Sequence, residues 1–214
     1  MEKDIAILIA DLSGYTALTE VHGALSAAEL IDKFIAIVQR SLVGDAFLQE
    51  RVGDEVMLLA ETPDDLLATA LLLHKNATFE EHFLLVHGGL HYGKLLQRNN
   101  SYFGSAINFA SRMAAKAKAG TFWCSKEFYM ALTNKSLSSF ESKGFLQFKN
   151  IADPKEIYEL VMDKTRFLAI DPVCRMLIQS KETAIQHPVE KDVFFCSADC
   201  LDIYRASNNS QSPL

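Results

Sequence analysis

The chain has 214 residues, 49% of them apolar and 22% charged, a composition that supports a full hydrophobic core and excludes disorder along its whole length. Lys and Arg number 21 against 27 Asp and Glu, a formal net charge of -6. No basic block stands out, so a nucleic-acid partner lacks its electrostatic footprint. The apolar run 5–10 is interrupted by Asp11 and the run 66–73 is far shorter than a membrane span, so neither a signal peptide nor a transmembrane helix is expected. These features predict a cytoplasmic protein with no membrane partner, built as one domain of ordinary size with a smaller annex.

Residues 5–10 are apolar throughout and give way to Asp11-Leu-Ser-Gly14, a turn-forming run, which predicts a short buried strand. Ser26-Ala-Ala-Glu29 spells a capping box, and Leu30, Phe34, Ile35 and Val38 follow at helical spacing, so a helix is expected over 26–42. Segments 47–52 and 55–60 flank Gly53-Asp54, a two-residue loop that closes a hairpin because Gly accepts positive φ. Thr62 then places a capping hydroxyl before Pro63 at the first position of a Leu/Ala-rich helix reaching about Asn76. A strand over 83–91 completes the order β-α-β-β-α-β. That order belongs to the ferredoxin-like split βαβ unit, an α+β fold whose central strands are the first and third. The end of the first strand and the hairpin loop then share one edge of the sheet, so Asp11 and Asp54 should approach each other.

Further along, 93–103 reads as a hairpin or extended loop, 105–118 as a helix closed by Gly120, and 121–124 as a strand, with Ser125 capping a short helix. The Ser/Asn/Lys segment 133–143 is expected to be a mobile surface loop, and strands over 145–149 and 156–161 complete the sheet. The expected division is 1–163, then a module at 164–206, with 207–214 too poor in apolar surface to order itself.

Four motifs carry the chemistry: Asp11-Leu-Ser-Gly-Tyr-Thr16, Glu50-Arg-Val-Gly-Asp54-Glu, Gly89-Leu-His-Tyr-Gly93 and Tyr102-Phe-Gly-Ser-Ala-Ile-Asn108-Phe-Ala-Ser-Arg112-Met. In this order, across 4–161, they resemble the class III nucleotidyl cyclase catalytic domain. Gly-Asp-Glu alone would also fit the related diguanylate cyclases, but that family's loop has a second glycine where this chain has Val52.

The resemblance implies that Asp11 and Asp54 hold two divalent cations, magnesium or manganese, per active site. Hard oxygen ligands suit such ions, and two cations serve a ribose hydroxyl attacking an α-phosphate. Leu12, Ser13, Gly14, Tyr15 and Thr16 would present backbone amides to a nucleoside triphosphate, with Gly14 allowing its close approach. Asn108 and Arg112, four apart on a helix, would orient the ribose and stabilise transition-state charge at the α-phosphate. In this family each active site draws residues from two subunits, which implies a head-to-tail homodimer.

Glu50 and Ser101 fall at the base-reading positions. A carboxylate accepts from guanine N1-H and N2-H2, whereas adenine N1 is itself an acceptor, so Glu50 favours GTP; Ser101 can donate or accept and leaves ATP open. Lys149 resembles a late-strand lysine that reaches terminal phosphates, though a solvent lysine is the plainer reading. Loss of efficient turnover with retention of the fold, leaving a nucleotide-binding or dimerisation module, is the second reading of the Glu50/Ser101 pair.

The C-terminal segment carries Asp171-Pro-Val-Cys174-Arg-Met176 and Phe194-Phe-Cys196-Ser-Ala-Asp-Cys200, a Cys-x21-Cys-x3-Cys spacing. It resembles a YHS domain, a small metal-binding module, with Arg175 replacing the usual glycine. Cys174, Cys196 and Cys200 are the expected ligands of zinc or another thiophilic ion, which would staple a segment too small to fold readily alone. The fourth ligand stays open among His187, water and a second chain. His22, His74, His82, His87 and His91 show no mutual ligand spacing and receive no role.

Overall fold

The computed structural model describes residues 2–162 and 169–209. Its elements run β1 (Glu2–Leu12), α1 (Tyr15–Ser41), β2 (Phe47–Val52), β3 (Glu55–Ala60), α2 (Pro63–Thr78), β4 (Val86–Arg98), β5 (Ser101–Phe103), α3 (Ser105–Ala114), β6 (Phe122–Ser125) and α4 (Lys126–Ala131). A short 3-10 turn at Lys135–Leu137 precedes β7 (Ser139–Leu146) and β8 (Lys155–Val161). Four two-residue strands follow, β9 (Ala169–Ile170), β10 (Leu177–Ile178), β11 (Ile185–Gln186) and β12 (Phe194–Phe195), and then α5 (Ala198–Asn209).

The main sheet has the order β2-β3-β1-β4-β6-β8-β7, with β5 paired to β4. Its first four strands are the split βαβ unit, with β1 and β3 central. Ala6, Leu8, Ala10 and Leu12 on one face of β1 join the core under α1 and α2, while Ile5, Ile7 and Ile9 on the other join Ala106, Ala110 and Ala114 of α3. A strand covered on both faces must be apolar at every position, which is why 5–10 shows no alternation. Helix α3 lies close to the sheet because Gly89 lacks a side chain: a Cβ there would overlap the Ala110 carbonyl oxygen and stand 2.7 Å from the Ala114 nitrogen.

Three expectations are corrected. Helix α1 begins at Tyr15, a full three turns before the Ser26 capping box, and its break is Gly23 at φ 79° and ψ 175°. The box lies in the first turns after this break, and the expected helix over 26–42 is the longer segment that follows Gly23. Strand β4 continues through Gly93 to Arg98 and pairs antiparallel with β5, the hairpin alternative of the reading of 93–103. The polar segment 133–143 is ordered: Asp64 accepts from the Thr133 and Asn134 amides, and 139–146 forms an edge strand on β8. An edge strand can be polar because one side and much of one face meet water. Finally, α5 extends to Asn209, so 207–209 belong to a helix; 210–214 and the joining segment 163–168 lie outside the described residues.

Gly89→Ala should cost about 1–3 kcal/mol, the range for forcing atoms into a packed contact. A urea midpoint below wild type at unchanged slope checks it.

Candidate functional site

Asp11 is the penultimate residue of β1, and Asp54 sits in the two-residue turn between β2 and β3. The antiparallel register Ala10↔Val56 brings that turn to the end of β1, and the positive φ of Gly53, 63°, closes it. The two carboxyl groups lie close enough to shift each other's ionisation. Burial raises the Asp11 carboxyl above its ordinary range. Burial and the Asp11 charge push Asp54 up to about 6. Burial and the Asp54 charge also raise Glu55, so three acids crowd one strand end, an arrangement that a cation relieves.

His87, opposite Asp11 in the β1–β4 register, stands among these groups. Burial lowers its pKa, and its Nδ1 lies 2.8 Å from the Ser13 hydroxyl. Sequence reading passed over it because its neighbours come from β1 and the β2–β3 turn.

The loop after Asp11 feeds directly into α1. The Leu12 amide donates to Asp11 Oδ1 at 2.9 Å and the Ser13 amide to the Leu85 carbonyl at 2.8 Å, so neither is free for a ligand. Gly14, at φ 97°, caps α1 without a side-chain hydrogen bond. Tyr15 and Thr16 open the helix, where amides have no intrahelical acceptor and attract anions. Of the five loop residues expected to cradle phosphates, Leu12 and Ser13 have their amides engaged within the protein, and Gly14 is packed against the Arg175 side chain.

Asn108 and Arg112 project together from α3 into a cleft of about 660 Å³ that His91, Glu127 and Lys155 also line. The volume suits a nucleoside-sized ligand. His91 is held by the Ser125 hydroxyl at 2.7 Å, and burial lowers it to about 4, so the ring is neutral. Lys155 is a cation in this cleft that no sequence motif marked, whereas Lys149 is exposed and does not line it. Neither Asp11 nor Asp54 lines the cleft, which instead reaches Asp4 and Lys94, paired at the far end of β1.

Glu50 and Ser101 are both exposed, on β2 and β5. The β4–β5 ribbon folds toward β2: Gln49 Nε2 donates to the Asn100 carbonyl at 2.9 Å, and the Phe47 and Tyr102 rings lie 6.5 Å apart. The two candidate base-reading residues therefore sit on adjoining segments.

The three C-terminal cysteines converge, and a fourth group joins them from the main domain. Cys196 Sγ lies 3.4 Å from Cys174 Sγ and 3.7 Å from Cys200 Sγ. His22 Nε2 stands 3.7 Å from both Cys196 and Cys200 sulfurs, and all four atoms fall within 4.8 Å of one another. Beneath them the buried Asp171 carboxylate accepts from the Val173, Cys174 and Cys196 amides, tying both cysteine turns together. His187, the candidate fourth ligand, is turned elsewhere: its Nδ1 accepts from the Glu190 amide at 3.0 Å.

No family model matches the chain. It is 33% identical over 117 residues to an adenylate cyclase of Glutamicibacter nicotianae, covering 54% of this chain and 29% of that protein. The structure is similar to that of the adenylyl cyclase CyaB from P. aeruginosa, with a TM-score of 0.65 at 20% identity, covering 77% of this chain and 96% of that one. The fold is that of a class III cyclase catalytic domain. It is equally similar to the guanylate cyclase domain of RhGC from Catenaria anguillulae, solved in complex with GTP, with a TM-score of 0.65 at 18% identity, covering 77% of this chain and all of that one. The chain spans about three-tenths of the length of the curated relatives it matches. No helix among the described residues is long and apolar enough to cross a membrane.

The raised Asp54 carboxyl sets a pH dependence. Its pKa is about 6 in the folded chain against an ordinary 3.8, so without metal the folded state binds more protons than the unfolded between these values. Stability then falls as pH rises through the window. Asp54→Asn should stabilise the metal-free protein at pH 7 by on the order of 1 kcal/mol, a figure discounted for the group's partial exposure. At about pH 4, where the folded carboxyl is protonated, the gain should vanish; urea midpoints at both pH values check this.

Proposed function

We propose that the main domain is a nucleotide cyclase that converts a purine nucleoside triphosphate to its 3′,5′-cyclic nucleotide and pyrophosphate. The meeting of Asp11 and Asp54 carries this reading. In the reaction a bond forms between the ribose 3′-oxygen and the α-phosphorus as the bond to the pyrophosphate oxygen breaks. Two divalent cations held by Asp11 and Asp54 would favour the 3′-alkoxide and neutralise phosphate charge. Half-buried carboxyls that repel one another are the donor set such ions require, and hard oxygen ligands fit magnesium or manganese.

The chain's own groups divide the remaining work. The Tyr15 and Thr16 amides at the start of α1 would hold the terminal phosphates, where the helix dipole adds to their attraction. Arg112, in the α3 cleft, would bear on charge developing at the α-phosphate, while Asn108 beside it orients the ribose. Glu50 would accept from the guanine N1-H and N2-H2 edge, which favours GTP over ATP.

Within one chain these groups form two separate half-sites. The carboxylates stand at one end of β1, and the cleft of Asn108 and Arg112 does not include them. A head-to-tail homodimer would supply each nucleotide with the carboxylates of one subunit and the α3 residues of the other. Val52 and Phe103, 65% and 54% exposed beside the β2 and β5 segments, offer apolar surface for such a contact. The cysteine cluster, with a thiophilic ion such as zinc, would serve as the structural staple of the annex.

Incubation with manganese and GTP or ATP, followed by mass spectrometry, should detect a cyclic product that Asp11→Ala and Asp54→Ala each lose. Mixing inactive Asp11→Ala with inactive Arg112→Ala should restore roughly a quarter of wild-type turnover, because half the dimers are mixed and each keeps one intact site. Mixtures that stay inactive while heterodimers form would contradict the shared site.

A further inference from the structure

His22, from the main domain, and Arg175, from the annex, each reach across the seam between the two units, and neither has a role in the cyclase reading. His22 stands on α1 one residue before the break at Gly23, its Nε2 turned to two annex sulfurs. Val21 beside it packs into the annex core with Cys174, Phe195 and Cys200. Arg175 adopts φ 68°, a left-handed conformation costly for a residue with a Cβ. Its side chain lies so close to Gly14 that a Cβ on that glycine would overlap the Arg175 Cβ and Cγ. Two residues on from Arg175, the Leu177 amide donates to the Phe83 carbonyl at 2.8 Å, a further contact between the annex and the main domain.

The distances between the four donor atoms have a simple reading. A tetrahedral ion bonded to sulfur at about 2.3 Å has sulfur–sulfur edges of roughly 3.7 Å. The observed separations of 3.4 and 3.7 Å match those edges, and the 3.7 Å contacts to His22 supply the fourth corner. A disulfide would require sulfurs about 2 Å apart. The Asp171 carboxylate, bonded to the Cys174 and Cys196 amides, fixes two of the corners from behind, as supporting groups do at metal sites.

We infer that Cys174, Cys196, Cys200 and His22 bind one thiophilic ion shared by the two units, and that this ion clamps Arg175 against Gly14 to order the loop leading into α1. Arg175 is a positioning residue here, and its backbone strain is sustained by the ligation of Cys174 next to it. A glycine at 175 would relieve that strain but remove the Cβ and Cγ that pack on Gly14. The consequence for nucleotide binding rests on the reading of the loop as a phosphate cradle; the clamp itself does not.

The full-length chain tests this in two measurements. Zinc affinity is measured by competition with a chromophoric chelator, and Co2+ loading is followed by its visible absorption. Wild type should bind one equivalent with tetrahedral cobalt bands. His22→Ala should lose at least about tenfold in affinity, the lower bound seen even for supporting residues, His22→Cys should recover it, and His187→Ala should match wild type. Hydrogen exchange of the peptide covering 12–18 should slow several-fold on zinc loading in wild type, and Arg175→Gly should keep its zinc while losing that protection. Undiminished affinity in His22→Ala, or a loss in His187→Ala instead, overturns the ligand assignment. Full zinc binding with unchanged loop exchange overturns the clamp while leaving the cyclase reading intact. Metal-dependent protection in a protein that makes no cyclic product removes the cyclase reading and leaves the clamp.

Discussion

Two acidic side chains forced together at a strand end are the constraint on which the site depends. Asp11 and Asp54 come together because β1 and β3 are antiparallel neighbours, so the two-residue turn before β3 lies beside the end of β1. Burial makes the pair unfavourable when both are charged. A fold optimised for stability alone would replace one of them, and a cation is the natural partner that turns the repulsion into attraction. The remaining features then take their places: helix-start amides beside the pair, and an arginine and an asparagine in a cleft that the pair does not reach.

The absence of the two carboxylates from the cleft lining accords with how α3 is seated. Gly89 lets α3 approach the sheet so closely that its alanines bury against β1 and β4, which directs Asn108 and Arg112 away from the carboxylates and into the cleft with Lys155. In the proposed reading the carboxylates and the cleft residues act together only across a dimer, so the proposed chemistry and the proposed dimer stand together. The annex adds a second level of dependence by packing Arg175 on the loop that joins the carboxylate strand to α1.

The parts that were legible in the sequence are those set by local pattern. The apolar run of β1, the Gly53-Asp54 turn and the Thr62-Pro63 helix start each depend on a few adjacent residues, and the convergence of Asp11 and Asp54 followed from element order alone. The start of α1 was missed because Gly23 interrupts its pattern and Ser26 imitates a beginning. The 133–143 segment reads as loop because its partners, Asp64 and β8, are distant in the chain. His22 escaped notice for the same reason: ligand spacing signals sites built from one stretch of chain, and this histidine meets its cysteines only across the seam between the units. Asp171 could have been found, since an acid just before a cysteine turn is well placed to accept its amides.

The most direct examination of the central claim is anomalous diffraction from crystals grown with manganese and a non-hydrolysable GTP analogue. Two manganese peaks within coordinating distance of the Asp11 and Asp54 carboxylates, beneath the analogue's phosphates, are the expected result. A bound analogue with its manganese elsewhere, and both carboxylates unligated, would contradict the account.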